Sequence, residues 1–408
     1  MISHPLSSPT LDSGSVADGA GSGRSVSHLA FFMHGFEMGG AQRSTLMICN
    51  ALAARGLRVD LVVVSAEGPL RGELDSAVRV HEVGSVWGGL PLLRSKRWWR
   101  VRTATWGLVR YLRRERPEVL VSSANHSALV TAAAHRWAAV PEIALVLRVT
   151  NPVRGGKRGL KHVFKRAALR RDLLQVDGVA TLAPRLSEEI IALTPAIADR
   201  IAVMPNAVVD VAKVEASRKL APPWPADGRK TVLAVARFAP QKDLATLLRA
   251  FALLPAERKA KLVIYGDGPL RAELEALGVQ LGLQDRLSMP GLIANPFAAM
   301  HHADVFVLSS RWEGLPGTLL EAMACGCPVV STDCPAGSRE ILLDGALGPL
   351  PPVGDAKALA EAITQLIDQP PDRVALVARA GCYTAEAAST VLLQICEKAA
   401  RRARLRCR

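Results

Sequence analysis

From His28 onward the chain alternates short apolar runs with amphipathic segments of helix length, and it goes through that alternation twice. "HLAFFM" (His28–Met33) reads as a strand, and "AQRSTLMICNALAARG" (Ala41–Gly56) as a helix closed by a glycine; "RVDLVVV" (Arg58–Val64) is the next strand. Val119–Ser122, Ile143–Val149, Gly178–Thr181 and Ile201–Met204 continue the series. The pattern pauses at "KLAPPWPADGRK" (Lys219–Lys230), where Pro222, Pro223 and Pro225 interrupt any apolar period. It restarts with "TVLAVARF" (Thr231–Phe238) and runs on through strands at Lys261–Tyr265, Arg286–Met289, Asp304–Ser309 and Pro328–Ser331. Helices are expected at Leu244–Leu254, Leu270–Leu281, Pro296–His302, Thr318–Ala324 and Ala356–Ile367.

Strands joined by helices must run parallel, because each connection has to cross back over the sheet. The sequence therefore predicts an α/β protein with two Rossmann-like, doubly wound parallel-sheet domains facing a cleft, the default ligand site of such a pair. The expected organisation is a Ser- and Gly-rich disordered leader (1–27), a first domain (28–218), a linker (219–230), a second domain (231–385), and a C-terminal helix with a basic tail (386–408). The closing "RRARLRCR" reads as a frayed end.

Lys and Arg number 51 against 37 Asp and Glu, a net charge of +14 with histidine neutral. That balance points to an anionic partner, whether nucleotide, nucleic acid or membrane surface, without choosing among them. The seven cysteines are odd in number and follow no zinc-ligand spacing; Cys325-Gly326-Cys327 sits in an apolar run, so a reduced, cytosolic compartment is expected. The leader has no apolar core of the signal-peptide kind. No run reaches the roughly 18–20 apolar residues of a membrane span.

The stretch "SSRWEGLPGTLLEAMACGCPVVSTD" (Ser309–Asp333) carries the densest chemistry. It places "RWEGLPG" in the loop at the carboxyl end of a strand, where open α/β sheets bind ligands. Gly314 and Gly317 allow close backbone approach, and the amides that open the following helix suit a phosphate. Glu313 and Glu321 flank that anion site as hydroxyl acceptors. Phosphate held by amides and hydroxyls held by carboxylates together describe a nucleotide sugar. Taken alone, the same two acids could be a helix cap and a solvated side chain. Arg237 and Lys242 stand five apart in "VARFAPQKD", across a loop containing Pro240, and read either as a phosphate clamp or as surface charge at a helix start.

Glu313, seven residues, Glu321 and then "EAMACGCPVVSTDCPAGSREIL" resemble the retaining glycosyltransferases of the GT-B fold, specifically the large family 4 (glycosyl transferases group 1). The resemblance spans about His28 to Ile367 and is most specific in the second half. It implies that Glu321 binds the ribose hydroxyls and that Glu313 holds the transferred sugar near its 3-hydroxyl. The amide of Leu315 with its neighbours, Gly317 included, would contact the distal phosphate, and Arg237 and Lys242 would clamp the diphosphate. The loop at Gly291–Leu292 would lie by the base, the Gly39-Gly40 turn would admit donor phosphate and acceptor, and His126 would contact the donor sugar's 6-hydroxyl. His34 is a weaker candidate. "CPAGSRE" and "LDGALGPLPPVGD" depart from the family's usual wording. No Asp-x-Asp pair is present, so no cofactor and no metal are expected. Gly39-Gly40 is not the Gly-x-Gly-x-x-Gly of a dinucleotide site.

Two stretches of the first half are strongly cationic. "LLRSKRWWRVRTATWGLVRYLRRERP" (Leu92–Pro117) interleaves nine Lys or Arg with three Trp and a Tyr, and "RGGKRGLKHVFKRAALRR" (Arg154–Arg171) is similar. Basic helices with interfacial aromatics suit a membrane surface; nucleic acid is the rival partner, but no nucleic-acid motif accompanies the charge, so none is expected. The combined reading is a hexose or N-acetylhexosamine transferase. It would use a nucleotide diphosphate sugar, with uridine favoured, and a glycan or lipid-linked acceptor. It would act in cell-envelope polysaccharide synthesis at the inner face of the membrane. A nucleotide-sugar epimerase and a non-catalytic membrane- or nucleic-acid-binding protein are the alternatives.

Overall fold

The computed structural model describes residues 25–37, 39–84, 97–125, 127–150, 169–335 and 337–407. His126, most of the leader and most of the two cationic stretches' charge-dense segments (92–96 and 154–168) lie outside the described residues.

Seven parallel strands form the first sheet: β1 (His28–Met33), β2 (Arg58–Val63), β3 (Arg79–Glu82), β4 (Val119–Ser122), β5 (Ala144–Val149), β6 (Gly178–Thr181) and β7 (Ile201–Val203), in the order β3-β2-β1-β4-β5-β6-β7. The second has five: β8 (Lys230–Val235), β9 (Ala260–Tyr265), β10 (Leu287–Gly291), β11 (Val305–Leu308) and β12 (Val329–Ser331), ordered β10-β9-β8-β11-β12. Both sheets have the expected parallel, doubly wound form, and both start at the centre and wind outward in opposite directions. Each central strand is buried on both faces. In β1, Leu29, Phe31 and Met33 enter one core and Ala30 and Phe32 the other. In β8, Leu233 faces one core while Val232 and Ala234 face the opposite one. This two-faced burial is why the strands read as continuous apolar runs. The edge strand β3, half-exposed and only four residues long, carries no such run and escapes sequence reading.

Two expectations are corrected. The proline segment is no free crossing between domains but is bound to the second one. Lys261 Nζ donates to Pro225 O at 3.1 Å and pairs with Asp227 Oδ1 at 2.9 Å, and Trp224 packs against that domain's core. The crossing lies earlier: Val209 and Val214 already belong to the second core, and the amides of Val208 and Val209 donate to Tyr383 O at 2.9 and 3.1 Å.

The basic C-terminus does not fray either. The helix Ala385–Arg406 returns to the first domain and buries Ala388, Leu392, Ile395, Cys396, Ala399 and Ala403 in its core. Arg402 donates to Asp199 O and Asp177 O at 2.7 and 3.0 Å, and Arg406 pairs with Asp177. The arginines that suggest a solvated tail are the helix's anchors.

Candidate active site

In each sheet the winding direction reverses between the first and fourth strands, which is where such sheets bind ligands at their carboxyl ends. In the second sheet β8 pairs in parallel with β11, so the loops leaving these two strands emerge side by side. One carries Lys242 in the short 3-10 turn Pro240–Lys242, and the other carries Glu313. They are braced to each other: Ser309 Oγ donates to Lys242 O at 2.8 Å, Arg311 N to Gln241 O at 2.8 Å, and Gln241 Nε2 to Trp312 O at 2.8 Å.

The brace holds a polar cluster. Lys242 Nζ donates to Glu313 Oε1 at 2.6 Å, and Ser310 Oγ donates to the same oxygen at 2.6 Å. The carboxylate is nearly buried and the ammonium mostly so, at 8% and 20% side-chain exposure, so the pair is screened far less than a surface ion pair. Oε2 takes no hydrogen bond among the described residues.

The loop then enters the helix Gly317–Ala324, with Pro316 at its N-cap rather than within its first turn. Gly337, in the segment that departs from the family wording, fixes this approach. Its φ is +87°, and a Cβ there would stand 2.6 Å from Gly314 O and 2.8 Å from Pro316 Cδ. No side chain fits without displacing the loop.

Glu313, Gly314 and Leu315, with Gln241, Trp312 and Pro335, form one wall of a cleft of about 720 Å³. The opposite wall is the first domain, including Thr150, Leu182, Arg185 and Glu188. The remaining expected residues do not line this cavity. Glu321 lies one turn into the helix, where its electrostatic neighbours are Arg43, from the helix Gly40–Ala54 of the first domain, and Lys213. Burial pushes its carboxyl up to about 7, and the two cations offset part of that. Arg43 in turn pairs with Glu73 at 3.0 Å. Gly317 abuts the interdomain crossing: a Cβ on it would be 3.3 Å from Val208 Cγ1.

Arg237 is exposed two residues past the end of β8 and forms no ion pair among the described residues. Gly291 closes β10 with φ +97°, and Leu292 beside it is 83% exposed. A Cβ on Gly40 would meet nothing within 4 Å, and one on Gly39 only the flexible end of Gln42, so the turn before the first-domain helix borders open space. Among the described residues no group of three His, Cys, Asp or Glu is placed to hold a metal ion.

Two family models match the chain. The one described as Glycosyltransferase Family 4 covers residues 38–210, and the one described as Glycosyl transferases group 1 covers 218–381. The chain belongs to this glycosyltransferase family. Over 88% of its length it is 28% identical to a lipopolysaccharide core biosynthesis glycosyltransferase of Rhizobium meliloti, covering 95% of that protein.

Other resemblances are local. The family member is 34% identical over 139 residues, 34% of its own length, to an N-acetylgalactosaminyltransferase of Campylobacter jejuni. That enzyme's name gives its acceptor as a diphospho-undecaprenol-linked sugar. It is 43% identical over 109 residues, 26% of its length, to an uncharacterised glycosyltransferase of Methanocaldococcus jannaschii. These segments span only 38% and 27% of the respective relatives.

Among solved structures, a glycosyltransferase of Rickettsia africae superposes with a TM-score of 0.72 over 91% of this chain and 98% of that one, at 16% identity. The Anabaena protein HepE, solved with UDP, gives 0.67 over 93% and 99% at 18% identity. These two likenesses establish the GT-B fold.

Sequence reasoning singled out Lys242 and Glu313, which the structure pairs, and Glu321, which it sets one turn into the helix. It missed Arg43, Lys213, Ser310 and Gly337. Only Arg43 left a local signal, as a cation in the first helical turn after Gly39-Gly40.

Proposed function

We propose that this glycosyltransferase moves a hexose or N-acetylhexosamine, with retention, from a nucleotide diphosphate sugar to a glycan or lipid-linked acceptor in cell-envelope polysaccharide synthesis. A uridine nucleotide is the favoured donor. The observation that carries the reading is the Lys242–Glu313 pair at the switch point, in the loop that leads into the helix Gly317–Ala324, with Glu313 facing the first domain across the cleft.

As the bond from the anomeric carbon to the phosphate oxygen breaks, negative charge grows on the leaving diphosphate. Lys242, Arg237 and the helix amides would be the donors for that charge. Oε2 of Glu313 accepts a hydroxyl of the transferred sugar, and Glu321 accepts from the ribose. The acceptor hydroxyl attacks the same face of the sugar. Its oxygen bonds to the anomeric carbon as the phosphate leaves, and its proton passes to a phosphate oxygen. With protein cations in place, the step requires no metal.

Incubation with a panel of nucleotide sugars, with and without chelator, tests this by release of nucleoside diphosphate. Release from at least one donor that survives chelation is expected. Release from none would refute the donor reading, and loss with chelator that manganese or magnesium restores would refute the metal-free one.

An exposed Trp and Arg cluster of the first domain supports the reading that the enzyme acts at a membrane surface. Trp106 and Trp137 are 59% and 45% exposed, with ring centroids 5.6 Å apart, and Arg110, Arg113 and Arg114 lie beside Trp106. No helix among the described residues is long and apolar enough to cross a membrane. Cations near an anionic surface contribute about 1 kcal/mol each and are screened by salt. Sedimentation with phosphatidylserine vesicles at low salt, lost at high salt and reduced by Trp106→Ala with Trp137→Ala, is the expected result. Equal sedimentation with neutral vesicles would refute it.

A further inference from the structure

Arg148 is a cation with no carboxylate. It lies near the end of β5, is 1% exposed, and forms no ion pair among the described residues. Among the described residues its guanidinium is met only by neutral oxygens: NH1 donates to Thr45 Oγ1 at 3.1 Å, and NH2 to Ser44 Oγ at 3.1 Å and to Asn206 Oδ1 at 3.5 Å. Nε has no partner among the described residues. Ser44 Oγ itself donates to Asn206 Oδ1 at 2.6 Å, so that oxygen is already satisfied without the arginine. Burial pushes the guanidinium down to about 10.

A buried charge without a counter-ion is unfavourable for the fold, and an apolar side chain of similar volume is often at least as stable in such a place. The fold therefore does not explain the arginine. The three segments it ties together do. Ser44 and Thr45 lie in the first turns of the helix that opens at Gly39-Gly40. Two residues beyond Arg148 is Thr150, in the cleft wall. Two residues beyond Asn206 is Val208, in contact distance of Gly317, where the helix carrying Glu321 begins.

We propose that Arg148 is a positioning residue: its planar fork sets the first-domain wall of the donor cleft in register with the start of the helix Gly317–Ala324. The inference rests on the donor reading above. The nucleoside is held by the second domain, so the fork acts on the reacting geometry rather than on nucleotide affinity. Lysine cannot replace it, because a single ammonium on a flexible stem does not span three oxygens held on two separate segments.

The test compares wild type with Arg148→Met and Arg148→Lys in three measurements: melting temperature, calorimetric affinity for free UDP, and turnover of the donor. Arg148→Met is expected to melt at or above wild type and to bind UDP within about twofold, while turnover falls about tenfold to a hundredfold. Arg148→Lys should lose turnover equally, and it carries the test if the methionine variant fails to fold. Wild-type turnover in either folded variant, or a fall in turnover matched by equal losses of melting temperature and UDP affinity, would reduce Arg148 to a structural part and overturn the proposal. Failure of wild type itself to bind UDP or any other nucleoside diphosphate would instead overturn the donor reading, and the proposal with it.

Discussion

Glu313 and Glu321 stand eight positions apart on one strand–loop–helix unit, yet the fold gives them opposite surroundings. Glu313, in the loop, is held by a lysine and a serine that both bond one of its oxygens, and it faces the cleft. Glu321, in the helix, has no side-chain hydrogen bond among the described residues and feels its cations only at longer range, so burial dominates and raises its pKa to about 7. Desolvation without a hydrogen-bonded charge beside the carboxyl opposes its ionised form. One acid is thus fixed as part of a charge cluster. The other is the one for which the proposed donor reading supplies partners, the ribose hydroxyls.

Removing the lysine should break this contrast most severely. Lys242→Ala deletes the donor proposed for the leaving phosphate and leaves the nearly buried Glu313 without its ion-pair partner. Turnover is expected to fall by about a hundredfold to a thousandfold. Lys242→Ala combined with Glu313→Ala should recover stability but not turnover, which thermal unfolding and steady-state kinetics would separate. If the single variant keeps wild-type turnover, the pair is structural.

A smaller effect is expected at Gly337→Ala, which forces a side chain into a left-handed backbone position against Gly314 O and Pro316 Cδ. The strain should be about 1–3 kcal/mol of stability. Because the displaced loop carries Glu313, activity should fall further than stability does. A fully active, fully stable variant would show that the loop is not held from this side.

The smallest effect is a pH dependence. In the unfolded chain Glu321 titrates near 4.5, and in the folded protein near 7. Between these values the folded form binds the extra proton, so this group's contribution to stability is present at low pH and declines as pH rises from about 4.5 to 7. On the proposed donor reading binding has the opposite sense, since ribose hydroxyls would be met by the ionised carboxylate: affinity for the nucleotide sugar should rise through pH 7 and level off above it. Glu321→Gln should flatten both curves. A curve unchanged in that variant would assign the titration to another group.

The two acids differ in how legible they were, and the reason is physical. Their spacing, the glycines and the following apolar strand are local, so a strand–loop–helix unit with carboxylates at its mouth could be read from the letters. The β8–β11 pairing that brings Lys242 onto Glu313 follows from the doubly wound order, which the alternation also carries. What gives Glu321 its character is non-local. Arg43 comes from the other domain, and Gly337 acts on a loop more than twenty residues earlier in the chain. Arg148 meets Ser44 and Asn206 only after three segments of the first domain assemble. The C-terminal helix shows the same limit in reverse. Ala388, Leu392, Ile395, Cys396, Ala399 and Ala403 keep a helical period through the arginines, but the charge obscured it until the partners of Arg402 and Arg406 were visible.

The central claim is that the helix acid holds the nucleoside while the loop acid serves the sugar. Calorimetry of free UDP with Glu313→Gln and Glu321→Gln side by side tests it most directly. The account predicts that Glu321→Gln loses about 1.5–3 kcal/mol of binding, the range for a hydrogen bond to a charged group. It predicts that Glu313→Gln binds UDP as wild type does while failing to release UDP from the donor. Equal losses in the two variants, or a loss confined to Glu313→Gln, would contradict the division of roles.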